Sequence, residues 1–512
     1  SAAFRIRCEN GIYAGSSVYG TGNPVALLKD YGHIRNVYGT LLADLSIRQD
    51  LSALTKGLAA EASVSFDNIG GMNETTNKEY RYMNSNASIT SDGTLVTTPA
   101  IYGTDSETLG HTQPFERLML RSDFQAKVDY NRTFGKHQVG GALIYDMQSV
   151  VKNGRNNSQK NQSVLVNATY TYDNRYSLNA VFNRSGSAYL PDGDKYSNYP
   201  AVSAAWIVSN EAFMEKVTPI NLFKIRASYG LSGWDGNLSH ELWRQSEGSG
   251  GAGYNFGVNA GGQSGGSEGD LPVIGLVAEK SQKATFGFDL AAFDNRLNAT
   301  VEGFYEKRSD ILVSGANSTS GIIGITVGQV NEGIYKYKGV DASLSWNDKI
   351  GDFHYGIGAS MSYLNTEVVN VNQAYQEYDY LYTKGNRIGQ MYGLEAIGFF
   401  NSQQEINNSP QQTFSDVAPG DVKYKDMNGD GEINEFDRTV IGGDKPTCYF
   451  GIDLGFEWKG LEVTALIQGA YNRDLYNSDR TLLEGFQVIG QSYGQAYTNL
   501  LNRWTPETAE TA

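Results

Sequence analysis

What the sequence lacks narrows it first. No run approaches the ~18 consecutive apolar residues that a membrane-crossing helix needs, so a helical membrane protein is excluded. A membrane β-barrel is not excluded, because its strands alternate apolar and polar residues and its mean hydropathy is that of a soluble chain. Basic residues are outnumbered, 41 Lys and Arg against 56 Asp and Glu, and the resulting net charge of −15 argues against a nucleic-acid partner. Two cysteines, Cys8 and Cys448, make neither a disulfide framework nor a metal-ligand spacing and read as free buried thiols. The five histidines include no H-x-x-x-H pair, so no zinc site is expected. Ser1 is not followed by the basic and apolar segments of a signal peptide. The polar run Trp504 to Ala512 stops in mid-phrase, and both ends read as cut from something longer.

Glycine (59), tyrosine (33) and aromatics as a class (12%) are abundant, and proline (11) is sparse. At 512 residues the chain exceeds the size at which one globular core stops growing, so it holds several domains or one architecture enlarged by repetition. Repetition is what the pattern shows. Val164, Val166, Ala168, Tyr170 and Tyr172 alternate with Asn167, Thr169 and Thr171. The same period of two runs through Tyr176 to Asn183, Ala284 to Leu290, Leu297 to Tyr305, Val340 to Trp346, Tyr355 to Tyr363, Phe450 to Trp458 and Leu461 to Ile467. A period of two is the signature of a strand, and ~9–11 residues per segment suits a tilted membrane strand better than the ~5–6 of globular sheets. Asp, Glu, Asn and Gln recur on the opposite face, as a water-filled lumen requires, and aromatics gather at strand ends (Tyr170, Tyr172, Tyr176, Phe456, Trp458) like an interfacial girdle.

Connections alternate in length. Asp173–Arg175, Asp294–Arg296 and Lys459–Gly460 are tight turns, whereas long polar stretches occupy about 66–115, 231–276, 306–336 and 365–447. Gly248 to Gly269, rich in Gly and Ser, reads as a mobile segment without the pattern of a phosphate loop. The fold expected is all-β: an antiparallel transmembrane barrel with short periplasmic turns and long extracellular loops. It is favoured over a soluble β-sandwich array or β-helix.

One segment carries specific chemistry. In Gly420–Gly442, Asp426, Asn428 and Asp430 alternate, Gly431 follows, and Asp437 closes the run. Oxygen ligands at positions 1, 3 and 5, glycine at 6, a backbone carbonyl at 7 and an acid at 12 define an EF-hand-like calcium loop. Asp426, Asn428, Asp430 and Asp437 are the candidate side-chain ligands of a structural Ca2+, with Glu432 acting through its carbonyl and Asn434 through water. Asp437 stands where an EF-hand has a longer Glu, as in dockerin-type loops. The competing reading is a solvated Asx turn without an ion. Loop aromatics (Trp234, Trp243, Tyr254, Tyr375, Tyr378, Tyr380, Tyr382) either stack on cargo or pack the loops, and packing is favoured for each singly. No nucleophile elbow or catalytic carboxylate pair emerges, so no enzyme is expected.

Several phrases together resemble the SusC/RagA family of TonB-dependent outer-membrane transporters. They are Asn23-Pro24, Tyr176 to Tyr189, Tyr199 to Trp206, Asn210 to Met214, Leu222 to Gly230, Glu279-Lys280 before a strand, Phe288 to Leu297, Asn331 to Ile334, Lys338 to Asp341, Gly420 to Asp426 and Arg503 to Pro506, in the family's order. One departure is Ser185 after Arg184, where the family usually has an acid. The resemblance implies roughly 14–18 strands of a 22-stranded barrel, incomplete at both ends, with plug, TonB box and final strands outside it. It implies an importer of oligosaccharides or peptides in the outer membrane of a Bacteroidota-type bacterium. A SusD-like surface lipoprotein, the TonB complex and outer-membrane lipid are the implied partners. The alternative is a calcium-stabilised extracellular adhesin or glycan-binding protein.

Overall fold

The computed structural model describes residues 6–8, 10–15, 23–113, 115–152, 158–255, 262–318, 322, 324–325, 327–476 and 504–508. Fourteen strands lie on one hydrogen-bonded path, each beside its sequence neighbour. They are β1 (Gly32–Asp50), β2 (Leu58–Asn77), β3 (Phe115–Phe134), β4 (His137–Lys152), β5 (Ser158–Tyr172), β6 (Tyr176–Ser187), β7 (Tyr196–Ile207), β8 (Ile220–Trp234), β9 (Glu279–Ala292), β10 (Leu297–Ser314), β11 (Gln329–Ile350), β12 (Phe353–Asn370), β13 (Cys448–Trp458) and β14 (Leu461–Tyr471). All thirteen pairings on this path are antiparallel. The short strand Gly110–Thr112 adds to β2.

Strand lengths correct one expectation. They run from 11 residues in β13 and β14 to 22 in β11. At ~3.3 Å per residue a strand of about 20 residues far exceeds an apolar band ~25 Å tall, even when tilted. Several strands therefore continue into stretches read as loops, to Asn77, Ser314 and Asn370. The polar composition of those upper halves hid the strand, because neither face needs to be apolar beyond the membrane.

Register fixes the two faces. Tyr172, Tyr176, Trp206, Ile225, Phe288, Val301 and Ala342 are successive cross-strand partners, so the apolar sets of seven strands fall in one row. The opposite face carries Ser177, Arg226, Glu302, Asp341 and Ser362 at the matching level. Along β7 exposed and half-buried residues alternate without a break, and the exposed ones include Val202, Ala204 and Trp206. A curved sheet produces this: side chains splay apart on the convex face and converge on the concave one. Here the convex face is the apolar one, with Phe286 63% and Leu344 52% exposed.

The two ends of the sheet differ. One end is closed by Gly135-Lys136, Asp173–Arg175, Phe293–Arg296, Gly351-Asp352 and Lys459-Gly460. Asp173 and Asn174 hold φ of 52° and 51°, and Arg175 N–H bonds to Tyr172 O at 2.9 Å, closing a three-residue connection between paired Tyr172 and Tyr176. At the other end lie the described parts of 78–113 and 235–278, together with 371–447. The Gly/Ser-rich segment expected to be mobile forms an irregular hairpin, Glu247–Asn255 with Gly262–Glu268; residues 256–261 lie outside the described residues. Its glycines allow close backbone approach, since a Cβ on Gly251 would stand 2.1 Å from Gly266 O. Cys8 and Cys448 are free but half-buried, because Cys448 begins a strand at the sheet's rim rather than entering a core.

Candidate functional site: the concave face and the long-loop cap

The concave face is polar and internally paired. Lys224 Nζ and Arg226 Nε lie 3.2 and 3.3 Å from Asp289 Oδ2, Arg226 also pairs with Glu302, and Thr300 Oγ1 donates to Asp289 at 3.1 Å. Neutral pairs continue the row: Asn179 donates to Asn167 at 2.8 Å, and Ser228 and Thr285 hydroxyls stand 2.8 Å apart. Period two places these groups on one face, and antiparallel register brings opposite charges opposite each other, where they attract rather than repel. A hollow of about 850 Å3 opens over Arg226, Glu302, Asp341, Ser362, Asp453 and Gln468. Such a wall offers donors and acceptors of both signs to a hydrated cargo or to a covering segment.

The cap is residues 371–447, built from short paired segments. Gln390–Leu394 pairs with Arg438–Gly443, Ala396–Phe399 with Val422–Tyr424, and Gln411–Gln412 with Glu432–Ile433. Phe400, Ile433 and Asp437 are 2%, 1% and 0% exposed and form its interior. Lys423 lies over the Phe400 ring at 5.7 Å and its Nζ contacts Glu405 at 3.0 Å. The Glu405 carboxyl is held below its ordinary range by the Asn401 N–H that donates to it, with Lys423 adding to the shift. A later segment docks here: Trp504 Nε1 donates to Asn401 Oδ1 at 3.2 Å, and the Trp504 ring lies where a Gly420 side chain would stand. Arg503 lies outside the described residues.

The acidic loop sits within the cap. Asp426 accepts N–H bonds from Gly429 (2.6 Å) and Gly431 (3.0 Å), and these glycines adopt φ of 76° and 88°. Asp430 accepts from Glu432 N (2.8 Å) and from Asn428 Nδ2 (2.8 Å). Asp437 ties the loop's ends, accepting from Met427 N and Asn434 N, both at 2.8 Å. Among the described residues no group of three or more His, Cys, Asp or Glu side chains gathers closely enough to hold a metal ion. The loop thus brings Asp437 against Met427 and Asp430 against Asn428, without drawing all the carboxylates to one point. Each ionised carboxylate has about four lone-pair positions, so N–H bonds leave acceptor capacity on all three acids.

Of the loop aromatics, two support this loop. Tyr378 and Tyr380 stack at 5.4 Å, Tyr378 meets Phe436 edge-on at 5.9 Å, Tyr380 Oη donates to Phe436 O at 2.6 Å, and Asn428 Nδ2 donates to Tyr378 Oη at 3.2 Å. Burial, then the nearby Asp437 carboxylate, pushes the Tyr380 hydroxyl above its ordinary pKa. Tyr382 bonds within its own segment, through Gln376, and Trp243 packs on a small cluster around Leu276. Trp234, Tyr254 and Tyr375 are exposed.

Two features were missed from sequence. One is the Lys224–Asp289–Arg226–Glu302 chain, whose signal was complementary charge at like-facing positions of adjacent strands. The other is Glu211, which accepts Tyr176 Oη (2.6 Å) and Trp206 Nε1 (3.0 Å) and pairs with Arg175 (3.3 Å) beneath the aromatic band. Those two donors hold the Glu211 carboxyl below its usual range.

Residues 9–506 match the family described as TonB dependent receptor-like, beta-barrel. TonB-dependent receptor P26 of Formosa agariphila is 27% identical over 353 residues, covering 66% of this chain and 34% of the relative. TonB-dependent receptor SusC of Bacteroides thetaiotaomicron is 20% identical over 349 residues, covering 64% and 33%. The fold is similar to that in the structure of the RagAB peptide transporter, with a TM-score of 0.67 and 16% identity over 93% of this chain and 52% of the solved one. The chain therefore spans about a third of these curated relatives and half of the solved chain.

Proposed function

The chain belongs to the TonB-dependent receptor-like β-barrel family of the outer membrane, and from that premise we propose that it forms the barrel wall of a SusC-type nutrient importer. The observation that carries this is the inverted sheet: large apolar side chains exposed on the convex face, charged pairs on the concave one. Exposed apolar area of that extent needs hydrocarbon around it, and a paired polar lining suits a hydrated lumen. The cargo proposed is an oligosaccharide or a peptide. A SusD-like lipoprotein would cover the long-loop end, and the TonB complex would supply energy through parts of the full-length protein outside this chain. No catalytic role is proposed. The family match favours this reading over the adhesin.

The test is fractionation and uptake with the full-length protein. Recovery in detergent-extracted outer membrane, with uptake lost when TonB is deleted, is expected. Recovery as a soluble monomer without detergent rejects the reading.

Calcium is proposed as the cap's structural ion, held by Asp426, Asn428, Asp430 and Asp437 side chains and the Glu432 carbonyl. An all-oxygen, acid-rich donor set suits a hard cation. The Gly429 and Gly431 N–H groups hold the Asp426 carboxylate within the loop, and it keeps acceptor capacity for an ion. Elemental analysis of the purified protein without bound calcium rejects it.

A further inference from the structure

The convex face is not evenly studded. On the level where Tyr170, Leu178, Ala204, Ala227 and Phe286 are successive partners, two methyl side chains stand between larger ones. The result is an apolar hollow of about 470 Å3 over Ala204 and Ala227, walled by Leu178, Tyr170, Tyr176 and Trp206. Tyr176 and Trp206 close its turn-side end as a stacked pair, ring centroids 6.4 Å apart and 16° from parallel.

Directly beyond that pair is a polar network at the short-turn end. Glu211 takes both aromatic donors and Arg175, Arg175 Nε lies 3.6 Å from Asp173 Oδ2, and Lys136 Nζ reaches the same oxygen at 2.8 Å. Two cations and two carboxylates give no net charge but offer both signs side by side. The two cations reach solvent, with 33% of the Arg175 and 63% of the Lys136 side chain exposed, so each can turn toward a headgroup laid over the network. A purely anionic headgroup would meet two uncompensated carboxylates here. A headgroup carrying one phosphate and one ammonium meets a counter-charge for each.

Given the outer-membrane barrel reading on which this rests, we propose that the hollow and network together bind one zwitterionic phospholipid of the turn-side leaflet. An acyl chain lies over Ala204 and Ala227, its phosphate meets Arg175 and Lys136, and its ammonium meets Asp173 and Glu211. The apolar and charged halves sit on opposite sides of the Tyr176–Trp206 pair, in the order that a lipid crosses an aromatic belt.

The test uses the full-length protein in nanodiscs of equal phosphatidylethanolamine and phosphatidylglycerol, released and weighed by native mass spectrometry. One retained phosphatidylethanolamine per protein is expected. Ala227→Leu fills the hollow and should lower retention about tenfold, the loss of roughly two methylenes' burial. Arg175→Gln should abolish the preference between headgroups. Ala284→Leu, on the same convex face but outside the hollow, should retain lipid as the parent does. Heat-modifiable gel mobility verifies that every variant is folded. Equal retention by Ala227→Leu and the parent overturns the acyl site, and equal retention of both lipids by the parent overturns the headgroup site. A protein that inserts and then fails either comparison sinks only this proposal. One that never enters the bilayer sinks it together with the barrel reading.

Discussion

The two ends of the sheet are built on different physics. At the short-turn end, geometry is local: Asp173-Asn174 and Lys459-Gly460 adopt positive φ, strands reverse in two or three residues, and partners follow from register. At the long-loop end, geometry is made by burial and by contacts between segments far apart in sequence: Phe400 inside the cap, Tyr380 reaching Phe436, Trp504 reaching Asn401. A structure made of local turns has few single points of failure, because each turn fixes only its own hairpin. A small packed cap has several, because a few side chains hold many segments. Each end can therefore be broken without the other.

The largest effect is expected inside the cap. Phe400→Ala removes an almost wholly buried ring and should cost about 3–5 kcal/mol locally. Hydrogen exchange across 396–424 should accelerate while β5 to β8 keep their protection. Equal loss of protection in those strands would show that cap and wall are one cooperative unit, and the contrast would fail. Next comes Asp437→Ala, which leaves the half-buried Met427 and Asn434 N–H groups without their acceptor, at most about 1–3 kcal/mol for each. If calcium is bound, a chelator should lower the melting temperature of the parent and leave that of Asp437→Ala unchanged. A chelator shift of equal size in both would place the ion elsewhere.

The sequence is legible to different depths at the two ends, for the same physical reason. Alternation over Val164–Tyr172 or Phe450–Trp458 reports the faces directly, since one is wetted by water and the other by hydrocarbon, and register needed only the turn residues to follow. The upper halves of β2, β10 and β12 stood outside that signal, because a strand beyond the membrane is polar on both sides. In the cap, the acidic spacing located the loop and its glycine turns. It gave no sign that Tyr378 and Tyr380 would stack beneath it or that Trp504 would cover Gly420, since contacts between distant segments leave no period. Glu211 lay within a quoted phrase, yet its role appears only once Tyr176 and Trp206 become cross-strand neighbours.

A smaller effect belongs to the turn end. Asn174 tolerates φ of 51° because its short polar side chain suits the left-handed region, and Asn174→Val should cost about 1–2 kcal/mol there. Urea unfolding of the bilayer-inserted protein should shift to lower urea, while the cap's response to chelator stays as in the parent. A changed chelator response would mean that turn geometry is transmitted along the strands to the cap.

The smallest expected effect tests whether the cap's outer contacts are linked in series. Trp504 Nε1 donates to Asn401 Oδ1, Asn401 N–H donates to Glu405 at 3.0 Å, and Glu405 pairs with Lys423. Glu405 is thus the charged end of a chain that holds the docked segment. Its folded pKa is depressed by the Asn401 N–H and by Lys423. A carboxyl so depressed contributes stability that is complete above its unfolded value, about 4.3, and is lost as pH falls through the folded value. Protonation weakens the Asn401 contact, and Asn401 then holds Trp504 less firmly. The emission difference between the parent and Trp504→Phe should be flat from neutral pH down to about 4.3 and change only below it. Glu405→Gln should show the acid-side value at neutral pH, because it lacks the charge throughout. A transition centred well above that pH, or one that persists in Glu405→Gln, would assign the docking of Trp504 to packing against Gly420 alone.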